Sequence, residues 1–463
     1  MLPVPHAARL SFAANLIRES HTFQRIRFSI GKHLAPAAAS STRGRIKLLC
    51  SKPKARAAAH WFIAKNRQLA AIAYPLLPSA RAAITRNNID MQGKVETVKF
   101  NISQTELQNA LGVVSKGAAT HSTLPILSGV HLHAEDDALI LQTTDLDRSI
   151  QYRVPALVEE EGEIVVPAKL FTDIAKNLPD GAVHFANDDN NATITCSSSK
   201  FTIHTMPAED FPGFPSLEVD QSIEIPFNEF ADMVKKVARV VSRDETRAIL
   251  TGVFLTTING NLRMVATDSY RLALADNKNV SGLGDFNVTI SGVFLREIAA
   301  LPASERPVVI SVSNNQIMVE YQGITYINRR LEGNFPNYQQ LLPKDYKTRV
   351  TLNVKELLAA VKRASLLSNT SAPVKFDINA ASQTVQLSSV SQDVGTVDEV
   401  LRVRVEGEDT VIAFNSSFIQ DGLQAMDTDD VFLDLQSTMR PGIFRATGTE
   451  EFLYLVMPVR IPA

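Results

Sequence analysis

An α+β fold made of three tandem copies of one domain is the architecture this chain predicts, each copy having two helices packed on antiparallel sheets. Three observations lead there. Helix-like segments of matching pattern start at Glu106-Leu107, Glu229-Phe230 and Glu356-Leu357, their apolar members 123 and 127 residues apart. A second set recurs at 124 and 124: Leu170-Phe171-Thr172-Asp173-Ile174, Phe294-Leu295-Arg296-Glu297-Ile298 and Phe418-Ile419-Gln420-Asp421. Thr144-Asp145 returns as Thr267-Asp268, and Phe211-Pro212 as Phe335-Pro336, at 123 and 124. Such a period exceeds the roughly 20–50 residues of a solenoid unit and is the size of a whole domain. The expected divisions are an extension over 1–97 and domains I, II and III over 98–219, 220–345 and 346–463.

Each copy reads as two halves, a helix followed by short strands. In the second copy the helix is expected from about Pro226, which a first turn tolerates, to Val241. Phe230, Met233, Val234, Val237 and Val241 fall in one stripe at 3.6 periodicity, with Lys235, Lys236, Arg239 and Arg243 opposite. The first copy repeats this with Leu107, Ala110, Leu111 and Val114 against Lys116. The third sets Leu357, Ala360, Val361 and Ala364 against Lys355, Lys362 and Arg363. Between helices come β-branched alternating runs such as Ala138–Gln142, Val308–Val312 and Ile317–Tyr321, broken at Asn314-Asn315. A helix layer over an antiparallel sheet is the natural packing for that order.

Charge divides the chain. Residues 1–97 hold 16 Lys and Arg against three acids, leaving 31 basic and 46 acidic side chains in the repeats. A region that acidic repels phosphate overall, so any handling of DNA must concentrate its cations on one surface. One basic helix face is ordinary solvated surface; three equivalent ones in an anionic region weaken that reading. The Ala- and Arg-rich extension, with the single Trp61, has the composition of a transit peptide or a basic arm. It is expected instead to be a disordered extension or an upstream start-site miscall, since the first repeat begins at Val98-Lys99-Phe100 and Met91 or a valine codon can serve as a start. Two cysteines, Cys50 and Cys196, make neither a disulfide framework nor a metal cluster and suit a reducing cytoplasm. No apolar run is long enough to cross a bilayer, so no membrane partner is expected.

The residues that recur are recognisable. Thr123-Leu124-Pro125-Ile126-Leu127, Ala266-Thr267-Asp268-Ser269-Tyr270-Arg271-Leu272-Ala273, Gly333-Asn334-Phe335-Pro336-Asn337-Tyr338 and Val456-Met457-Pro458-Val459-Arg460-Ile461 all stand in order. With them the chain from Val98 to Ile461 resembles the bacterial DNA polymerase III beta subunit, the replicative sliding clamp. The resemblance implies three DNA-clamp domains per chain, with two chains closing head to tail into a ring. It implies a processivity factor that encircles duplex DNA and tethers the replicative polymerase, localised in the bacterial cytoplasm. It is not catalytic itself, though part of a nucleotidyltransferase assembly, and it needs no cofactor and no metal. Helices lining the hole would present Lys116, Lys235, Lys236, Arg239, Arg243, Lys355, Lys362 and Arg363, joined by His121, Lys176 and Arg296, to phosphates in contacts blind to sequence.

The same resemblance implies a peptide pocket between domains II and III. It would be formed by Arg247, Leu250, Thr267, Ser269, Tyr270, Arg271, Leu272, Pro336, Gln340, Leu341, Leu455, Met457, Pro458, Val459 and Arg460. Aliphatic and methionine walls, shape-fixing prolines and rim arginines suit a short hydrophobic peptide. Partners would be the polymerase catalytic subunit, the clamp loader, repair polymerases and other peptides carrying such a motif. The chain departs from the family pattern at Gln340, a basic position in well-known members, at His121, often arginine, and at Ala248-Ile249, elsewhere an aromatic pair. Ring closure would pair edge strands of domains I and III, with Lys200, Phe201 and Ile203 facing Leu366 and Leu367 and with Asp398 or Glu399 available to Lys200. For the apolar members, burial in their own domain is an equal alternative.

Two other classes compete. An enzyme of repeated domains would use Asp145 and Asp268 as acids, yet a catalytic pair seldom needs copying while a turn does. A peptide-binding scaffold that never encircles DNA would place the basic faces outward. No Gly-rich phosphate loop, His/Cys metal spacing or nucleophile elbow is present, and His184 and His204 lie singly in strand-like runs.

Overall fold

The computed structural model describes residues 97–460 except 189, 283, 344, 368–372 and 392–394, with only the backbone of Leu367. The expectation for residues 1–96 lies outside the described residues.

Domain I runs β1 (Lys99–Ser103), α1 (Gln104–Val114), β2 (Gly129–Glu135), β3 (Ala138–Thr144), β4 (Arg148–Pro155), β5 (Leu157–Glu160), β6 (Gly162–Pro167), α2 (Ala168–Asn177), β7 (Ala182–Asp188), β8 (Asn191–Cys196) and β9 (Ser199–His204). Domain II follows with β10 (Gln221–Pro226), α3 (Phe227–Val237), β11 (Gly252–Ile258), β12 (Asn261–Thr267), β13 (Arg271–Asn277), β14 (Asn287–Ser291), α4 (Gly292–Ala299), β15 (Pro307–Val312), β16 (Gln316–Tyr321) and β17 (Ile324–Arg329). Domain III is β18 (Thr348–Asn353), α5 (Val354–Ala364), β19 (Pro373–Asn379), β20 (Thr384–Ser391), β21 (Gly395–Arg402), β22 (Arg404–Gly407), β23 (Thr410–Asn415), α6 (Ser416–Leu423), β24 (Asp430–Leu435), β25 (Gly442–Ala446) and β26 (Phe452–Val456). The order strand, helix, strands, helix, strands thus occurs three times.

Local chemistry explains where the helices start. Ser103 caps α1: its Oγ accepts the Glu106 amide at 3.2 Å and donates to the Glu106 carboxylate at 2.9 Å. Asn353 caps α5 by accepting from Lys355 and Glu356, and Asn415 caps α6 by accepting from Ser417. The apolar stripes expected from periodicity are buried throughout α1 and α5. In α3, Phe230, Met233, Val234 and Val237 are buried, but the α-helix ends at Val237, a 3-10 turn covers Ala238–Val240, and Val241 is extended and half-buried. The expected runs fall within β3, β15 and β16.

Sheets, not linkers, join the domains. An eight-stranded sheet ordered β10-β15-β16-β17-β4-β3-β2-β6 crosses from domain II to domain I through β17 and β4. A nine-stranded sheet, β14-β11-β12-β13-β26-β25-β24-β18-β22, crosses from II to III through β13 and β26. A five-stranded sheet β5-β1-β7-β8-β9 and a four-stranded one, β21-β20-β19-β23, leave β9 and β21 as edges. Within each domain the two helices pack on each other, α1 on α2, α3 on α4 and α5 on α6.

The segment leaving domain I is held by His131, which is 7 % exposed and stacks on Phe211 with ring centroids 5.1 Å apart. Its Nε2 lies 3.0 Å from Glu163. Burial pushes this imidazole below its ordinary value, opposed in part by the Glu163 charge. A base whose folded pKa is depressed stabilises fully above the unfolded value and loses that contribution as pH falls through the window below it. Denaturant unfolding at about pH 7.5 and about pH 5 is therefore expected to show a smaller acid loss in His131→Phe than in the parent chain.

Candidate functional site

The repeated Thr-Asp motif is a turn with a defined job. Asp145 Oδ1 accepts the amides of Asp147 and Arg148 at 3.1 and 2.7 Å, and Thr144 Oγ1 accepts that of Leu146 at 3.0 Å. Asp268 Oδ1 does the same for Tyr270 and Arg271 at 2.9 and 3.0 Å, and Thr267 Oγ1 for Ser269 at 3.1 Å. Leu146 and Ser269 take left-handed φ values of 78° and 80° in these turns. Oδ1 of each aspartate serves the turn backbone and Asp268 Oδ2 accepts from Arg271 Nε at 3.0 Å, a structural use that argues against the repeated-domain enzyme.

Each turn aims an arginine across a domain junction. Arg148 of domain I reaches Glu297 on α4 at 3.0 Å. Arg271 of domain II bonds Asp421 on α6, sits 4.5 Å over the Phe418 ring and lies 3.3 Å from the Tyr454 hydroxyl. Sequence reasoning placed Arg271 in the pocket and missed both clasps. The available signal was that Arg148 and Arg271, and Glu297 and Asp421, sit at the repeat spacings of 123 and 124. The Arg271 side chain is only 11 % exposed. Arg271→Met is therefore expected to cost about 2 kcal/mol in chemical denaturation, because Asp421 and Asp268 lose a shared cation. A cost near zero would make the clasp ornamental.

The expected DNA-facing cations divide into two groups. Lys116, Lys176, Lys235, Arg243 and Lys362 are exposed and have no ion pair among the described residues; His121 is exposed on its loop. The others are engaged. Lys236 is fixed between Asp232 and Asp427, 2.6 Å from each, and these carboxylates outweigh the burial that works against its charge, holding the ammonium above its ordinary range. Arg239 donates to the carbonyls of Lys235 and Asp421 at 3.1 and 2.9 Å, and Arg296 to that of Ala238 at 2.6 Å. Arg363 is bound bidentately by Glu399. Lys355 has only a loose, fully solvated contact with Asp429 at 3.8 Å. Lys236 and Arg363 thus already hold carboxylate partners: Asp232 is one turn earlier on the same helix, while Asp427 and Glu399 come from other elements that helical periodicity cannot see.

Of the residues assigned to the peptide pocket, Leu272 and Leu455 lie opposite each other at the β13/β26 junction. Leu272 and Leu455 belong to a small core with Val265, Leu274, Tyr338, Ile443 and Leu453, roofed by Phe254, Phe335 and Leu342. Of the remaining assigned residues, Tyr270 (65 %), Leu341, Met457, Val459, Pro336, Gln340, Arg247 and Arg460 are exposed and Pro458 is half-buried. Leu250 is buried, and Thr267 donates to the Arg271 carbonyl at 2.7 Å. The terminal segment is pinned from both sides, the Met457 amide on Tyr270 O and the Val459 amide on Ala413 O, each 2.8 Å. A half-open cleft of about 470 Å³ lined by Glu229, Asp232, Lys236, Asn277, Asn279 and Glu451 is polar and suits no apolar peptide.

At the free edges, Phe201 and Leu366 are exposed (38 and 80 %), as are Lys200 and Asp398. Two assignments there need correction. Ile203 is 7 % exposed and packs in the core of its own domain, and Glu399 is committed to Arg363. The side chain of Leu367 lies outside the described residues.

With this geometry in place, likeness to known proteins is specific. Residues 98–215, 224–337 and 339–460 match the family models of the N-terminal, central and C-terminal domains of the DNA polymerase III beta subunit. A beta sliding clamp of Synechocystis sp. is 32 % identical over 389 residues, covering 79 % of this chain and all of the relative. That of Bacillus subtilis is 30 % identical over 376 residues, covering 78 % of this chain and all of the relative. The crystal structure of the DNA polymerase sliding clamp from Bacillus subtilis superposes with a TM-score of 0.75 at 30 % identity, over 79 % of this chain and all of that one. A Bartonella birtlesii sliding clamp bound to griselimycin gives 0.75 at 27 % identity, with the same coverage. On three domain models in order and relatives matched along their whole length, the chain belongs to the DNA polymerase III beta subunit family, the bacterial sliding clamps.

Proposed function

We propose that two copies of this chain close head to tail around duplex DNA and hold the replicative polymerase on its template, as a non-catalytic processivity factor. The observation that carries this reading is the distribution of charge. Lys116, Lys235 and Lys362 recur at or just past the ends of equivalent helices, with Arg243 in the loop after α3, all exposed and without ion pairs among the described residues, in repeats whose acids outnumber their bases. Cations gathered on one face attract the duplex, the surrounding acidic surface repels it, and the contacts are weak enough to slide. Topology, not affinity, then prevents escape. The apolar patch at the II/III junction supplies the tether for short hydrophobic peptides of the polymerase, clamp loader and repair polymerases, with Arg247 and Arg460 at its rim for polar or carboxylate groups. Among the described residues no helix is long and apolar enough to cross a membrane, and a cytoplasmic site beside the nucleoid fits this role.

Retention on DNA tests the reading. Protein loaded on nicked circular DNA is expected to stay through gel filtration and to leave once the circle is cut. A chain that remains on the linear form binds a groove and is no ring.

A further inference from the structure

Strand β24 reads Val431-Phe432-Leu433-Asp434-Leu435, apolar on both faces but for one carboxylate. Asp434 is 6 % exposed, and a carboxylate so placed must be paired. Two arginines from the neighbouring strands meet it. Arg349 of β18 binds it bidentately, Nε to Oδ1 at 2.6 Å and Nη2 to Oδ2 at 2.8 Å. Arg445 of β25 brings its Nε to 3.3 Å from Oδ2. The Arg349 guanidinium also lies over the rings of Tyr346 and Phe432, 4.0 and 4.6 Å from their centroids.

Strand register places this cluster, because directly opposed residues turn their side chains to the same face. Leu455 is opposite Ile443, Ile443 opposite Asp434 and Asp434 opposite Arg349. In the adjacent row Leu453 is opposite Arg445, and Arg445 opposite Phe432. Ile443, Leu453 and Leu455 belong to the small core at the II/III junction, whereas the alternate residues Val431, Leu433 and Phe444 belong to the main core. The sheet face that carries the junction core therefore runs on across domain III into Arg445, Phe432 and Arg349.

The two ends of this face differ in charge. On the domain II side Arg263 has Asp276 to itself, with Nε to Oδ1 and Nη2 to Oδ2 both at 2.6 Å. On the domain III side one carboxylate serves two guanidiniums. Glu406, opposite Arg349 on β22, pairs with Arg404 at 2.8 Å. Arg445 is turned to Asp434 by its Nε, and among the described residues neither of its Nη groups has a partner; its side chain is 32 % exposed. A surplus cation is thus held in place on repeats whose acids outnumber their bases.

We propose that this face of domain III is a docking surface for acidic residues that flank the hydrophobic motif of a partner peptide, with Arg445 receiving a carboxylate on its Nη groups. The proposal rests on the peptide reading above and adds to it a preference for sequence outside the motif. A guanidinium already oriented by a buried carboxylate loses little freedom on binding, and its planar donors match a carboxylate. The reach is short. Arg445 stands one strand and two residues from Leu455, about 8 Å by strand geometry, which about three residues of extended peptide span.

Fluorescence anisotropy with three synthetic peptides sharing one hydrophobic motif tests this. One carries two aspartates on its N-terminal flank, one carries them on its C-terminal flank, and one has asparagines at all four positions. One of the aspartate peptides is expected to bind the parent chain about tenfold more tightly than the asparagine peptide. Arg445→Gln is expected to erase that preference with the asparagine peptide's affinity and the thermal midpoint unchanged, because Asp434 keeps Arg349. Equal affinity for the three peptides, or a preference that survives Arg445→Gln, overturns the docking surface and leaves the apolar site standing. Failure of the parent chain to bind any of the three overturns the site and the surface together.

Discussion

Reversing Lys116, Lys235, Arg243 and Lys362 to glutamate is expected to shorten the DNA made per polymerase binding event by an order of magnitude or more, with the thermal midpoint moved by no more than about 2 °C. All four are exposed and no ion pair among the described residues depends on them. Their removal therefore takes little from the fold. Phosphate contact is electrostatic, and each contact releases about 0.9 counterion, so a ring with eight such cations can lose up to about seven units of salt slope. Lys236→Glu sets the contrast, because it places a third carboxylate beside Asp232 and Asp427, both 2.6 Å from the present ammonium. That change is expected to lower stability measurably, by about 1–3 kcal/mol. Primer extension with excess unlabelled trap, with calorimetry of each variant, separates the two effects. Processivity unchanged in the fourfold variant would remove these four positions from the DNA path.

The contrast between Lys235 and Lys236 marks how far the sequence can be read. Which residues of α1, α3 and α5 face inward follows from the 3.6-residue period, because burial of a stripe is a local property of a helix. The repeat itself was legible because three copies retain their apolar spacing even where few identities survive. Whether an outward lysine is free is a different question. Asp427 reaches Lys236 from beyond α6, and Arg148 and Arg271 meet carboxylates 149 and 150 residues away. No window of sequence spans that distance, and only the repeat spacing hinted at it. Ile203 was ambiguous for a related reason: on an edge strand, alternation says which residues share a face but not whether that face is covered by the same chain. The same face carries Phe201, which is exposed, so neighbours two apart differ in cover.

Peptide docking is expected to fail most completely when Tyr270, Leu341 and Met457 are changed together to alanine. These residues are 65, 45 and 36 % exposed, so they contribute little to the core, and on the reading above they supply apolar surface for the peptide. Hot-spot aromatic and aliphatic contacts are worth about 2 kcal/mol or more apiece. The affinity of a short hydrophobic polymerase peptide is then expected to fall at least about a hundredfold by fluorescence anisotropy. Truncation after Val456 should act alike, since it removes Met457 and Val459 with their anchors on Tyr270 O and Ala413 O while sparing every residue of β26. Dimerisation should survive both changes, because β9 and β21 lie at the edges of other sheets. Undiminished peptide affinity in the triple variant would move the tether off this patch. Lost dimerisation in the truncated chain would instead bring the terminal segment into the closing seam.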